Sequence, residues 1–402
     1  MLIDLDELGD SLPKRCVIVF DEAGMAATRT TARLLEHAER AGAKVVAIGD
    51  PGQLASVQAG GWLRAVGREV GALRLTEVMR QRDPGERRAL AALHDRIPDL
   101  YVDWATKAGR VDTFNDSVGA CDAAVAEWAA AAGEVGVDQA VMIARDNDTR
   151  AALNTAAREL RRDQGKLGAQ RVYGRRELAI GDRVICRRND SLLDVDNGTR
   201  GTVRHLDEHR VVIETDSRLI RELPAQYVAE HVEHAYALTG HGMQGATVEA
   251  AIVVATPRHL TAGWSYTALS RARASTRLLI HDDQPAHERA DHAPERAEQP
   301  ASREELLARA GRRMIERDDQ DLAVEQLAPA GRADDHQLTL ALDHTNQHKS
   351  TPRCEPNPTQ HRWPRRGCAT SANASSGSAR NAPRSRPPSW ASSTRLTPAC
   401  WS

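Results

Sequence analysis

Aromatic side chains are scarce in this chain, at 3% of 402 residues, so its core has to be built from aliphatic residues and alanine. Six cysteines (Cys16, Cys121, Cys186, Cys354, Cys368 and Cys400) stand apart, with no CxxC pair. That excludes a legible zinc spacing or disulfide framework. Neither sign of charge dominates: 54 basic against 56 acidic residues give a net −2, which argues neither for nor against a nucleic-acid partner. No run approaches the ~18 apolar residues of a membrane span. The opening "MLIDLD" lacks the basic and apolar regions of a signal peptide. A reducing, cytoplasmic setting is expected. What is present is 41% hydrophobic residues, enough for a core, in a length suited to two or three domains.

Short apolar runs alternate with amphipathic stretches from residue 14 to about 285. "RCVIVF" (Arg15–Phe20) and "KVVAIG" (Lys44–Gly49) read as fully buried strands of a parallel sheet. Between them "TRTTARLLEHAERAG" carries Ala32, Leu35 and Ala38 at helical spacing, with Gly42 placed to end the helix. Further strands are expected at "AVMIA" (Ala140–Ala144), "AYALT" (Ala235–Thr239), "AAIVVA" (Ala250–Ala255) and "RLLIH" (Arg277–His281). Residues 177–231 break this rhythm with short strands and turn signals such as Asn197-Gly198, which predicts a small inserted β-barrel. A helix is expected over 302–318, within a linker at 286–344. Residues 345–402 hold nine basic residues, one acid and eight prolines, and are expected to be a disordered basic tail.

Two strand ends carry chemistry. "VIVF" runs straight into Asp21 and Glu22, at the carboxyl edge where ligands bind in open α/β sheets. In a P-loop NTPase such an Asp holds Mg²⁺ through water and the Glu polarises the attacking water. The next strand ends in "GDPGQL" (Gly49–Leu54), where Gly49, Pro51 and Gly52 force a tight loop beside those acids, and Gln53 can reach a phosphate or water without adding charge.

With these stretches the chain resembles the RecD-like branch of superfamily 1 helicases. "VIVFDEAGM" and "AIGDPGQL" are similar to motifs II and III, "LTEVMRQRDP" (Leu75–Pro84) to motif IV, "AYALTGHGMQGATVE" (Ala235–Glu249) to motif V and "YTALSRARAS" (Tyr266–Ser275) to motif VI. The resemblance is nearest to the helicase half of conjugative relaxase–helicases, and residues 177–231 fit that branch's SH3-like insertion. It implies an α/β fold of RecA-like P-loop NTPase domains: an incomplete first domain over 1–112 and a second over 113–285. It also implies ATP and Mg²⁺ as cofactors and single-stranded DNA as partner. By residue it implies catalytic roles for Asp21 (Mg²⁺ through water), Glu22, Gln53, Arg80 and the arginine finger Arg271. Gly49, Asp50, Gly245 and Arg273 would contact nucleotide. Thr239, His241, Gln244 and Thr247 would face DNA, joined by Arg187 and Arg188 of the insertion.

Two departures stand out. Motif V commonly reads His-Lys-Ser-Gln-Gly, and here it is His241-Gly242-Met243-Gln244-Gly245, without the lysine. No GxxxxGK[ST] occurs in the 402 residues, so the loop that cradles phosphates is missing. The expectation is an amino-terminally truncated helicase that hydrolyses no ATP alone, with an upstream chain supplying the phosphate loop and the relaxase domain. The alternatives are a non-catalytic single-strand-binding module and a decayed remnant. A nuclease built on Asp21 and Glu22 lacks the Glu-x-Lys partner such sites use.

Overall fold

The structure, a computed structural model, describes residues 12–54, 56, 61–75, 77–282 and 301–317. The expected basic tail and most of the linker lie outside these residues.

Strand β1 (Val17–Phe20) leads through a single 3₁₀ turn to helix α1 (Thr28–Ala41) and back to β2 (Lys44–Ala47), which pairs with β1 in parallel. Gly42 ends α1 in the left-handed conformation (φ 62°), its N–H bonded to the carbonyls of Ala38 and Glu39. The helix buries Thr31, Leu34, His37 and Ala38. The face expected through Ala32 and Leu35 is therefore turned by about one residue, and Leu35 is exposed. β2 also differs from expectation: it is mostly exposed, with Ile48 just beyond it 48% exposed. Helix α2 (Trp62–Glu69) closes this unit, Trp62 stacking on Phe20 and donating its indole N–H to the Ala23 carbonyl.

The next elements are α3 (Pro84–His94), α4 (Pro98–Lys107), β3 (Val111–Phe114), α5 (Ser117–Val135), β4 (Ala140–Ala144) and α6 (Asn147–Asp163). Helices α3, α5 and α6 each start at an aspartate that accepts a backbone N–H: Asp83 from Gly85, Asp116 from Gly119 and Asp146 from Thr149.

Residues 170–234 form the inserted module. A hairpin, β5 (Gln170–Tyr173) with β6 (Arg176–Ala179), precedes β7 (Arg183–Cys186), β8 (Arg200–Leu206), β9 (Arg210–Thr215) and β10 (Ile220–Pro224). Helix α7 (Ala225–His231) and β11 (Val232–His234) complete it. The sheet is antiparallel in the order β10-β9-β8-β7-β11. One core holds Val184, Val203, Ile213, Leu223 and Val232 together with Tyr173 and Leu178 of the hairpin. The insertion thus extends several residues beyond the expected 177–231 on both sides.

The chain returns with β12 (Ala237–Thr239), β13 (Val248–Ala255), α8 (Ala262–Leu269), β14 (Ala272–His281) and α9 (Arg303–Arg313). The second sheet is wholly parallel, ordered β12-β4-β13-β14-β3. Alternation assigns its two faces. Val141, Ile143 and Val253 point to α3, α4, α8 and α9, while Met142, Ile252 and Val254 point to α5 and α6. Because Leu90, Leu93 and Tyr101 of α3 and α4 belong to the first of these cores, residues 84–107 pack with the second sheet, not with β1 and β2. α9 starts at Ser302, which caps the Glu305 N–H, and is shorter than the expected 302–318.

Candidate functional site

The carboxyl ends of β1 and β2 are zipped past the strands themselves. Ile48 N–H donates to the Phe20 carbonyl (2.8 Å) and Ala23 N–H to the Ile48 carbonyl (2.9 Å). This brings Asp21 and Glu22 beside Gly49. A Cβ on Gly49 would lie 2.7 Å from Leu63 Cδ2 and 3.0 Å from the Gly24 nitrogen, so only glycine fits. Glu22 takes a left-handed backbone (φ 51°), uncommon for a residue with a side chain. Asp21 is exposed and accepts the Glu22 N–H (2.8 Å).

Asp50 organises the loop after β2. It accepts from Gly52 N–H (2.8 Å) and Gln53 Nε2 (3.1 Å), and lies 3.1 Å from His94 Nε2 on α3. Burial alone would raise its pKa, but these hydrogen bonds and the His94 charge outweigh it and hold the carboxyl below its usual range. Gln53 is thereby oriented, and its Oε1 is buried without a hydrogen-bond partner among the described residues.

The motif IV stretch is stapled to motif VI. Arg80 Nη1 donates to the Ser270 carbonyl (2.7 Å), and Gln81 Nε2 to the carbonyls of Ser270 and Ala272 (3.1 and 3.0 Å). Arg271, 1% exposed, donates to the Thr267 carbonyl (2.7 Å) and Ser270 Oγ (2.8 Å). Burial, then the charge of Arg80, pushes the Arg271 guanidinium down to about 10, and burial lowers that of Arg80. Glu22 is raised, first by burial and then by Asp21, while Arg271 pulls it back. Among the described residues these two neighbouring guanidiniums hydrogen-bond to neutral acceptors, with Glu22 and Asp50 as opposing charges nearby, an arrangement that can take an anion.

The motif V loop closes the other side. Gly245 (φ 74°) comes near Glu22: a Cβ there would lie 3.9 Å from Glu22 Oε1. Gln244 Nε2 donates to the Leu54 carbonyl (3.2 Å), leaving its own Oε1 buried and unpartnered. Thr239 Oγ1 accepts from Gly242 N–H (3.3 Å), His241 is exposed, and Thr247 is half-buried before β13.

The fold therefore gathers Glu22, Gly49, Asp50, Gln53, Arg80, Gln244, Gly245 and Arg271 around one cleft. Three expected residues lie elsewhere in the charge pattern. Arg273 faces Glu249 at 3.8 Å on the rim. Arg187 pairs with Glu233 (2.9 Å), and Arg188 sits 3.2 Å from His231, both on the inserted module. His94 and Tyr266, whose rings meet edge to face at 5.0 Å beside Asp50, were not singled out by sequence. Tyr266 stands inside the motif VI stretch and could have been; His94 carries no local signal. No group of three or more His, Cys, Asp or Glu side chains able to hold a metal occurs among the described residues. An Mg²⁺ here would take oxygen donors from Asp21, water and phosphate, its usual manner.

Residues 4–116 match the AAA domain family. The conjugal transfer protein TraA of Agrobacterium fabrum is 31% identical over 282 residues, covering 67% of this chain and 25% of the relative. The ATP-dependent RecD2 DNA helicase of Deinococcus radiodurans is 28% identical over 262 residues, covering 64% of this chain and 35% of the relative. A crystal structure of Bacteroides Pif1 bound to single-stranded DNA aligns at a TM-score of 0.43 and 18% identity, over 72% of this chain and 76% of that one. A likeness of that size carries no weight in the assignment. Motif order and the sequence relatives make the chain similar to superfamily 1 helicases of the RecD-like kind. Within that class the chain is related to the TraA conjugal transfer proteins, and it spans about a quarter of their length. No described helix is long and apolar enough to cross a membrane.

Proposed function

We propose that this chain is the motor part of an ATP-dependent DNA helicase of the conjugative relaxase–helicase kind, contributing the carboxylate and arginine side of the nucleotide site. The observation that carries the reading is the buried Arg271 with the half-buried Arg80 near it, both bonded to carbonyls or a hydroxyl and within electrostatic reach of Glu22.

In this reading Arg271 neutralises the charge that develops on a transferred phosphoryl group, a role worth roughly 10³–10⁵ in rate for such fingers. Arg80 holds the terminal phosphate, Glu22 orients the attacking water with Gln53, and Asp21 meets Mg²⁺ through water. Gly49, Asp50 and Gly245 shape the nucleotide loops, with Arg273 at their edge. Thr239, His241, Gln244 and Thr247 follow single-stranded DNA, with Arg187 and Arg188 extending the track. Since Gln244 is bonded to Leu54, one residue beyond Gln53, DNA contact and nucleotide contact are one hydrogen bond apart. Division into a first RecA-like part ending near residue 80, a second part and the inserted module at 170–234 suits this coupling.

The 402 residues contain no GxxxxGK[ST], so nucleotide affinity and turnover by the chain alone are expected to be negligible, and an upstream segment or chain would have to supply the phosphate loop. The same absence favours, as a second reading, single-strand binding without catalysis. The test is single-strand binding and DNA-stimulated ATP hydrolysis by the chain, beside Asp21→Asn/Glu22→Gln. Salt-dependent binding with no hydrolysis fits the proposal. Hydrolysis abolished by the double substitution would mean that unrecognised residues bind the phosphates.

A further inference from the structure

A cavity of about 230 Å³ opens where α6 meets the inserted module, next to the loop that enters β4. It lies at the amino edge of the parallel sheet, whereas the nucleotide cleft lies at the carboxyl edge, and the two share no residue. Five cations line it: Arg161, Lys166, Arg183, Arg204 and Arg218. Against them stand three carboxylates, Asp138, Glu214 and Asp216.

Those carboxylates are already engaged. Asp216 binds Arg183 (2.6 Å) and Arg200 behind it (3.1 Å). Glu214 binds Arg204 (2.9 Å) and Arg218 (3.0 Å), and Asp138 binds Arg218 (3.2 Å). Among the described residues Arg161 and Lys166 pair with no carboxylate. Arg161 lies 5.8 Å over the Tyr236 ring and donates one Nη to the Gly181 carbonyl (3.3 Å), but its Nε is buried with no hydrogen-bond partner. The lining thus carries an excess of two positive charges, one of them with an unused donor.

We infer that this cavity is an anion site that takes one phosphate group. A dianion balances the excess, the Arg161 guanidinium adds charge beside it, and Lys166 supplies a mobile ammonium at the mouth. The space is smaller than the ~300–1,000 Å³ of pockets for drug-sized ligands, which suits a single phosphate group and not a whole nucleotide. Arg183, only 3% exposed and fixed between Asp216 and Thr202, forms a rigid wall. Because the lining comes from both α6 and the inserted module, an occupant would tie the module to the second sheet.

Isothermal titration of the full chain with inorganic phosphate tests this. One saturable site is expected, weakened at least tenfold by Lys166→Gln, restored in part by Lys166→Arg, and weakened as strongly by Arg161→Gln. Lys166 is exposed, so its variants leave folding intact and keep the test decisive if Arg161→Gln unfolds. Absence of saturable binding overturns the inference. So does binding that Lys166→Gln leaves unchanged and Arg271→Lys removes, since that would place the anion in the nucleotide cleft. A repeat with a short oligothymidylate present identifies the source: displacement of phosphate assigns the site to a DNA backbone, and undisturbed binding assigns it to a free anion.

Discussion

Glu86 should make this protein less stable in mild alkali. It occupies the first turn of α3, where the helix dipole favours a carboxylate, yet it is only 1% exposed and neither oxygen has a hydrogen-bond donor. The Thr276 hydroxyl beside it, which also donates to the Leu269 carbonyl (3.2 Å), favours the ionised form but does not offset burial. Burial pushes Glu86 from its ordinary 4.5 up to about 7, with Thr276 and then Arg110 too weak as counterweights. Below pH 4.5 the group is protonated folded or unfolded and costs nothing. Between 4.5 and 7 the unfolded chain ionises while the fold keeps its proton, and above 7 the full cost remains. At about 1.36 kcal/mol per pH unit, that cost is about 3 kcal/mol. Glu86→Gln keeps the shape and a donor but cannot ionise. Urea unfolding at pH 5 and pH 8.5 should therefore show the variant gaining about 2–3 kcal/mol on the parent between the two. An advantage that does not change with pH would refute the reasoning.

The Asp50–His94 contact stabilises the fold, and its contribution also falls as pH rises. The hydrogen bond that His94 donates to Asp50 raises His94, and Asp50 is lowered, so the pair stabilises between the depressed Asp50 pKa and the raised His94 pKa and fades as pH rises through the latter. His94→Gln should cost about 0.5–1 kcal/mol at pH 6 and less at pH 9 by thermal unfolding; equal losses would contradict the pairing. Trp128, 1% exposed with its indole N–H on the Ala140 carbonyl, anchors α5 to β4. Trp128→Ala should cost about 3–5 kcal/mol by denaturant titration, and a loss below about 1 kcal/mol would mean that α5 is not docked as described.

Sequence made the second sheet legible because β4 and β13 are apolar on both faces, which only a strand covered on both sides tolerates. The same reasoning failed at β2. "KVVAIG" has that pattern too, but burial depends on what packs against a strand, and its Val46 and Ile48 are 37% and 48% exposed. The face of α1 went wrong because Leu34 and Leu35 are adjacent and both apolar, so helical spacing fits either choice until the sheet selects Leu34. At the site, motif order brought Glu22, Gln53, Arg80 and Arg271 into view together. It did not separate Arg271 from Arg273, which diverge because one leaves the end of α8 while the other already lies on β14 opposite Glu249. His94 was invisible, since its partner Asp50 is forty-four residues away and only the packing of α3 joins them.

The central claim is that Arg80 and Arg271 form the cationic half of an ATP site that needs a phosphate loop from elsewhere. The most direct measurement is DNA-stimulated ATP hydrolysis by the chain alone and by the chain fused behind a strand–GxxxxGK[ST]–helix unit. The account predicts none from the chain alone, and from the fusion an activity that falls about 10³-fold or more in Arg271→Lys. Hydrolysis by the chain alone at a comparable rate, or fusion activity indifferent to Arg271, would contradict it.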